Sequence, residues 1–119
     1  MEGMLTGWVV WEVLLFRIFQ LGYQSNYSYF PVLVRWRLNS RRDELHDTLL
    51  ANGIQARRYF FPLLSDLELY ASLPSSVAGN LPNARRIASQ VLCLPMHTNL
   101  QAEDVDLICA KLHRFTDVV

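Results

Sequence analysis

Gly53-Ile54-Gln55-Ala56-Arg57-Arg58-Tyr59-Phe60-Phe61-Pro62-Leu63 is the stretch that decides the fold. Asn52-Gly53 at its head reads as a helix stop, because glycine takes the left-handed backbone conformation without steric cost. A strand is expected at once after it, from Ile54 to about Phe60, and Pro62 ends that strand. Upstream, Ser40 is placed to cap a helix, with Asp43 three residues on in a capping-box-like arrangement. Leu45, Leu49 and Leu50 give that helix its apolar stripe.

Further out, Tyr27 to Trp36 reads as a strand, since aromatic and β-branched residues dominate it. Pro31 inside it argues for an edge position or a bulge. Tyr27 and Tyr29 fall on one face of this strand and are expected in the core. Downstream, Ser65 to Tyr70 reads as a short helix and Leu73 to Gly79 as a loop rich in Ser, Pro and Gly. Asn80 is a candidate cap for a helix running from Leu81 to Gln90, with Pro82 in its first turn. Val91 to Leu94 is a short apolar strand stopped by Pro95. Asn99 is a candidate cap for the last helix, whose buried face is Val105, Ile108, Cys109 and Leu112. The resulting fold class is α+β: an α/β layer with a small mixed or antiparallel sheet of about three strands covered by helices.

Bulk properties agree with one packed domain. The chain has 119 residues, 51% of them hydrophobic and 18% charged, which excludes a disordered chain. Formal net charge is zero, so nothing calls for a nucleic-acid partner, which needs a basic excess or stripe. Lys111 is the only lysine, and as a cation near the end of the last helix it reads as solvated and favoured by the helix dipole. Cys93 and Cys109 have neither metal-ligand spacing nor a C-x-x-C pattern, so they read as buried thiols of a cytoplasmic protein. His46, His97 and His113 are dispersed, and none is assigned to a metal or to catalysis.

Residues 1–24 are set apart from residues 25–119. Trp8 to Phe16 is strongly apolar but interrupted by Glu12, and it is too short to span a bilayer. It lacks the positive start and small-residue cleavage site of a signal peptide. A helix packed on the domain, a sticky surface through which copies self-associate, or sequence brought in by truncation, frameshift or fusion is expected there.

Four segments in order resemble the C-terminal small domain of the DegT/StrS-like nucleotide-sugar aminotransferases. They are Asn26-Tyr27-Ser28-Tyr29-Phe30-Pro31-Val32; Arg42-Asp43-Glu44-Leu45 leading into Gly53 to Leu63; Leu81-Pro82-Asn83-Ala84 with Val91-Leu92-Cys93-Leu94-Pro95; and Leu100 with Glu103-Asp104-Val105. The resemblance covers about Ser25 to Leu112. It implies fold type I, in which a large domain binds pyridoxal phosphate and the small domain closes over the substrate. The implied reaction moves an amino group, usually from glutamate, to a nucleotide-linked keto-sugar, as in deoxyamino-sugar and surface polysaccharide synthesis. The family's Schiff-base lysine and pyridine-nitrogen aspartate belong to the large domain. The resemblance therefore implies no catalytic residue and no cofactor-binding residue in this chain, and an isolated chain without activity. A stand-alone binding module and a non-functional gene fragment are the alternatives.

The same resemblance singles out Arg57, Arg58 and Tyr59. Much of the family has histidine, tyrosine and Pro-Leu-His where this chain has Tyr59, Phe60 and Leu64. The Arg-Arg-Tyr-Phe-aromatic-Pro version resembles the subgroup acting on keto-hexoses, with Phe61 where that subgroup often has tyrosine. Chemically, an arginine pair beside aromatics suits a diphosphate or a sugar hydroxyl face, because guanidinium binds oxyanions in a fork and stacks on rings. The competing reading is structural: Arg57 and Arg58 alternate across an edge strand, one solvated and one in a salt bridge, and Tyr59 is a half-buried core aromatic.

Overall fold

A computed structural model describes residues 14–16, 22, 24–35, 41–77 and 79–117. The elements are β1 (Leu14–Phe16), β2 (Phe30–Val34), α1 (Arg42–Ala51), α2 (Glu68–Ala71), α3 (Pro82–Gln90), β3 (Val91–Leu94) and α4 (Ala102–Asp117). Single 3₁₀ turns at Leu64–Asp66 and Pro74–Ser76 flank α2. The three strands form one antiparallel sheet in the order β1-β2-β3, with Leu15 opposite Leu33 and Val32 opposite Leu92. The α+β class is as the sequence implies; the sheet has the expected three strands in number, but its third member is Leu14–Phe16 and not Ile54–Phe60. Part of the apolar N-terminal stretch, for which a helix is one expectation, is instead a strand at Leu14–Phe16. Residues 1–13 lie outside the described residues.

Side-chain alternation sorts the sheet into two faces. Val32 and Val34 of β2 and Leu92 and Leu94 of β3 point into the main core. Leu45 and Leu49 of α1, and Ile108, Leu112 and Phe115 of α4, meet them there. All four residues of β3 are buried, and α3 packs against β2. β3 therefore reads as a continuous apolar run rather than an alternating one.

Several local expectations are corrected. The strand expected over Ile54–Phe60 is reduced to a single bridge between Arg57 and Cys93. Burial alternates as a strand's would only as far as Arg57, with Ile54 and Ala56 in the core. The Phe61 N–H then donates to the Arg58 carbonyl at 2.8 Å, and this turn ends the pairing. Tyr27 and Tyr29 are exposed and precede β2 rather than lying in it; Tyr27 has φ +54°, which no strand accommodates.

Pro31 lies in the central strand and not at an edge. Cys93 opposite it directs both its N–H and its carbonyl to Arg57, at 2.7 and 2.9 Å. The Pro31–Cys93 pair is therefore a non-hydrogen-bonded one, and no donor is missed there. The first described β1 partner of β2 stands opposite Val32, one residue beyond the proline.

Helix ends differ in the same way. The α1 stop is as expected: Gly53 has φ +76°, and Gly53 and Ile54 donate to the carbonyls of Leu50 and Leu49, a Schellman pattern. At its start Arg41 takes the N-cap position without a side-chain cap, and Ser40 lies outside the described residues. Asn80 does not cap α3: Leu81 holds that position, and the Asn80 amide donates to the Ser75 carbonyl. At α4 the Asp104 carboxylate accepts the Gln101 N–H at 3.0 Å, so Gln101, not Asn99, stands at the helix start. Leu50 is exposed, and the buried face of α1 is Arg42, Leu45 and Leu49. Lys111 is half-buried and precedes the last turn of α4, whose basic residue is Arg114.

Candidate functional site

Three devices place the Arg57–Phe61 stretch. The bridge to Cys93 fixes Arg57 beside β3. The Arg58–Phe61 turn then swings the chain out, leaving Phe60 70% exposed and Phe61 46% exposed. Third, the Arg58 guanidinium reaches back to α1, where its Nη1 donates to the Asp43 carboxylate at 3.0 Å.

The two arginines thereby part company. Arg57 lines a cleft of about 540 Å³ together with Tyr29, Gln55, Tyr59, His97 and Asp104. Arg58 lines a groove of about 650 Å³, formed by residues 58–65 with Leu81. Tyr59 borders both. Of the two structural roles weighed from sequence, Arg58 takes the salt bridge, and Arg57 is exposed with no ion pair among the described residues.

Aromatic rings fill the space between the two hollows. Tyr59 stacks on Phe60 with centroids 5.2 Å apart, and Tyr29 stands edge-on to Tyr59 at 5.6 Å. The Arg57 guanidinium lies 5.9 Å from the Tyr59 ring centre, and Arg58 lies 5.7 Å from that of Phe61. Cationic forks beside exposed ring faces can take an oxyanion and a flat or hydroxylated ligand surface together.

Arg42, which sequence reasoning passed over, organises this region from below. Its side chain is buried on α1. Its Nη1 donates to the Ala88 carbonyl at 2.7 Å and the Val91 carbonyl at 3.2 Å, and its Nε donates to Asp43 Oδ1 at 2.7 Å. The guanidinium thus satisfies carbonyls at the C-terminal end of α3, where a cation is also favoured by the helix dipole. It lies 4.6 Å from the Phe61 ring centre as well. The available signal was spacing: Arg42, Leu45 and Leu49 fall at i, i+3 and i+7, one face of one helix.

Burial pushes the Asp43 carboxyl up, but hydrogen bonds and charge from Arg58 and Arg42 outweigh it and hold the group below its ordinary value of 3.8. A depressed folded-state value contributes stability above the unfolded-state value, and that contribution is lost as pH falls through the folded one. An NMR pH titration of the chain is expected to place the Asp43 midpoint below 3.8, and Arg58→Ala should move it upward. A midpoint at or above the ordinary value would refute the pairing.

Burial pushes both the Cys93 and the Cys109 thiol up, which disfavours the thiolate. No group of His, Cys, Asp and Glu among the described residues could hold a metal ion. No described helix is long and apolar enough to cross a membrane.

Comparison with known proteins places these features in context. Residues 17–113 match the model of the DegT/DnrJ/EryC1/StrS aminotransferase family. The chain is 44% identical over 81 residues to a dTDP-4-amino-4,6-dideoxy-D-glucose transaminase of Escherichia coli. That match takes in 68% of this chain and 22% of the relative. A transaminase of the same description from Shigella dysenteriae is 42% identical over 88 residues, 74% of this chain and 23% of the relative. Among solved structures, a DegT/DnrJ/EryC1/StrS aminotransferase from Brucella abortus superposes with TM-score 0.72 at 26% identity. That superposition covers 88% of this chain and 26% of the Brucella protein. The chain thus spans about a fifth of the length of the curated relatives it matches.

Proposed function

Because the chain belongs to the DegT/DnrJ/EryC1/StrS aminotransferase family, we propose that it supplies the small C-terminal domain of a pyridoxal-phosphate aminotransferase acting on a nucleotide-linked keto-sugar. The domain is residues 25–119, with β1 added to its sheet from the segment ahead. The natural setting is deoxyamino-sugar formation for a surface polysaccharide, in the cytoplasm. Arg58 and Tyr59 face the sugar-nucleotide from one side of the turn, and Arg57 lies on the other. The observation that carries this reading is the Arg57–Phe61 stretch itself: two cationic forks and a cluster of exposed and half-exposed rings at the mouths of two hollows, in a chain 44% identical over 81 residues to a dTDP-sugar transaminase.

The residues present do not fit the cofactor. Attachment of pyridoxal phosphate requires a primary amine in a pocket. Lys111 is half-buried on α4 and borders neither hollow. No step of the transamination is therefore derived from this chain. Its share is binding and orientation: Arg58 can hold an oxyanion through charge-assisted hydrogen bonds, and the rings exclude water from one side of the ligand.

A graft tests the assignment. Residues 25–113 are placed into the Escherichia coli transaminase in exchange for the matched stretch. An active graft is expected, in which Arg58→Ala raises KM by roughly one to two decades with little change in kcat. Arg57→Ala should do much less. A graft that binds cofactor normally but responds to Arg58→Ala no more than to Arg57→Ala would sink the assignment of Arg58.

A further inference from the structure

A single oxygen atom stands at the centre of the arginine cluster. Asp43 Oδ1 accepts from Arg42 Nε at 2.7 Å and from Arg58 Nη1 at 3.0 Å. The two donors are unlike. Arg42 is 2% exposed and anchored on two backbone carbonyls, so it cannot move without disturbing α3 and β3. Arg58 leaves the surface turn, and its side chain is 39% exposed. Its Nε and Nη2 have no partner among the described residues. Both guanidinium groups lie against the Phe61 ring, at 4.6 and 5.7 Å from its centre.

Exposed ion pairs contribute little to stability, and Asp43 is 63% exposed. A contact of this kind acts by restricting where a long side chain points. Two guanidinium groups around one carboxylate also leave one positive charge, so the cluster still attracts an anion. We propose that Asp43 is a positioning residue: held from the core side by Arg42, it aims the free edge of Arg58 into the groove to receive an oxyanion of the diphosphate class. The proposal rests on the reading of Arg58 as a substrate contact. It adds that the orientation comes from Asp43 and, behind it, from a buried arginine on another helix.

The sign of one substitution separates positioning from simple charge. Asp43→Asn removes a negative charge beside the groove, so charge alone makes the site bind anions more tightly. Loss of positioning makes it bind them more weakly, because Arg58 must be ordered when the ligand arrives. Inorganic pyrophosphate is titrated into the full 119-residue chain while the Arg58 and Arg57 Nε–Hε signals are followed by NMR. In the unaltered chain the Arg58 signal should move saturably. Asp43→Asn should weaken that response about three- to tenfold, an effect the size of immobilising one side chain. Asp43→Glu keeps the charge but displaces the carboxylate by one methylene, and it should weaken the response as well. Backbone amide signals of β2, β3 and α1 should stay in place in both variants, and any Arg57 response should be unchanged. Unaltered or tighter binding in Asp43→Asn, or unaltered binding in Asp43→Glu, overturns the positioning role while leaving Arg58 as the contact. No movement of Arg58 in the unaltered chain overturns the contact itself, and the proposal with it.

Discussion

Leu92→Ala is expected to cost about 2 to 5 kcal/mol of folding stability, enough to leave much of the chain unfolded near physiological temperature. Leu92 is fully buried at the centre of the core and stands opposite Val32 in the antiparallel pair. Truncation removes the transfer free energy of the lost carbons and leaves a cavity that strands on one side and helices on the other cannot close. Leu112 on α4 is equally enclosed, and Leu112→Ala should cost a similar amount. Leu50→Ala, on the exposed side of α1, is the control and should fall within about 0.5 kcal/mol of wild type. Urea unfolding followed by circular dichroism measures all three. Equal midpoints for Leu92→Ala and Leu50→Ala would mean that the sheet does not pack as described.

Arg42→Ala should be as damaging as a core truncation, about 2 to 5 kcal/mol, although arginine is ordinarily a surface residue. The cost comes from what remains. The Ala88 and Val91 carbonyls lose the donor they share, and a buried acceptor without a partner costs about 1 to 3 kcal/mol. The loss cannot be relieved as in a buried ion pair, where both partners can be exchanged for apolar groups, because backbone carbonyls cannot be exchanged. Arg42→Met fills the volume without donating and should recover only the packing share. Arg42→Lys returns one cation without the fork and should restore little, since one ammonium does not reproduce the planar set of donors. The same urea series reads the outcome. Arg42→Met as stable as wild type would show that the bonds to the α3 end contribute nothing.

Much of the fold was legible because its signals are local. Gly53 ends α1 for the reason its position suggests, a positive φ that glycine alone takes without cost. The apolar run Val91–Leu94 is a strand, and Ile108 and Leu112 face the core at helical spacing. The misreadings arose where a non-local partner decides. Ile54–Phe60 has strand composition, yet pairing stops at Arg57, because the next residues turn and Arg58 is drawn to Asp43 on another helix. Tyr27 and Tyr29 have strand propensity without a strand to join, since the β2–β3 register ends at Phe30. Asn80 was read as a cap, but its amide bonds the Ser75 carbonyl instead.

The site was legible as a set of residue types and not as a geometry. Arg57, Arg58 and Tyr59 stand together in sequence, and the structure keeps them near one another, but it divides the arginines between two hollows. Asp43 reads from sequence only as a capping-box residue and Arg42 only as part of a family segment, because their importance depends on the carbonyls of α3 and on a turn fifteen residues away. No periodicity announces such contacts. Only the position of Arg42 on the Leu45–Leu49 face hinted that this arginine points inward.

On the function proposed above, this chain binds and orients a sugar-nucleotide while other residues of the aminotransferase hold the cofactor. Incubation of the 119-residue chain with pyridoxal phosphate, borohydride reduction and peptide mapping by mass spectrometry tests it most directly. The expected result is no stoichiometric attachment at Lys111. Stoichiometric labelling of Lys111, accompanied by a transaminase activity that Lys111→Ala abolishes, would contradict it.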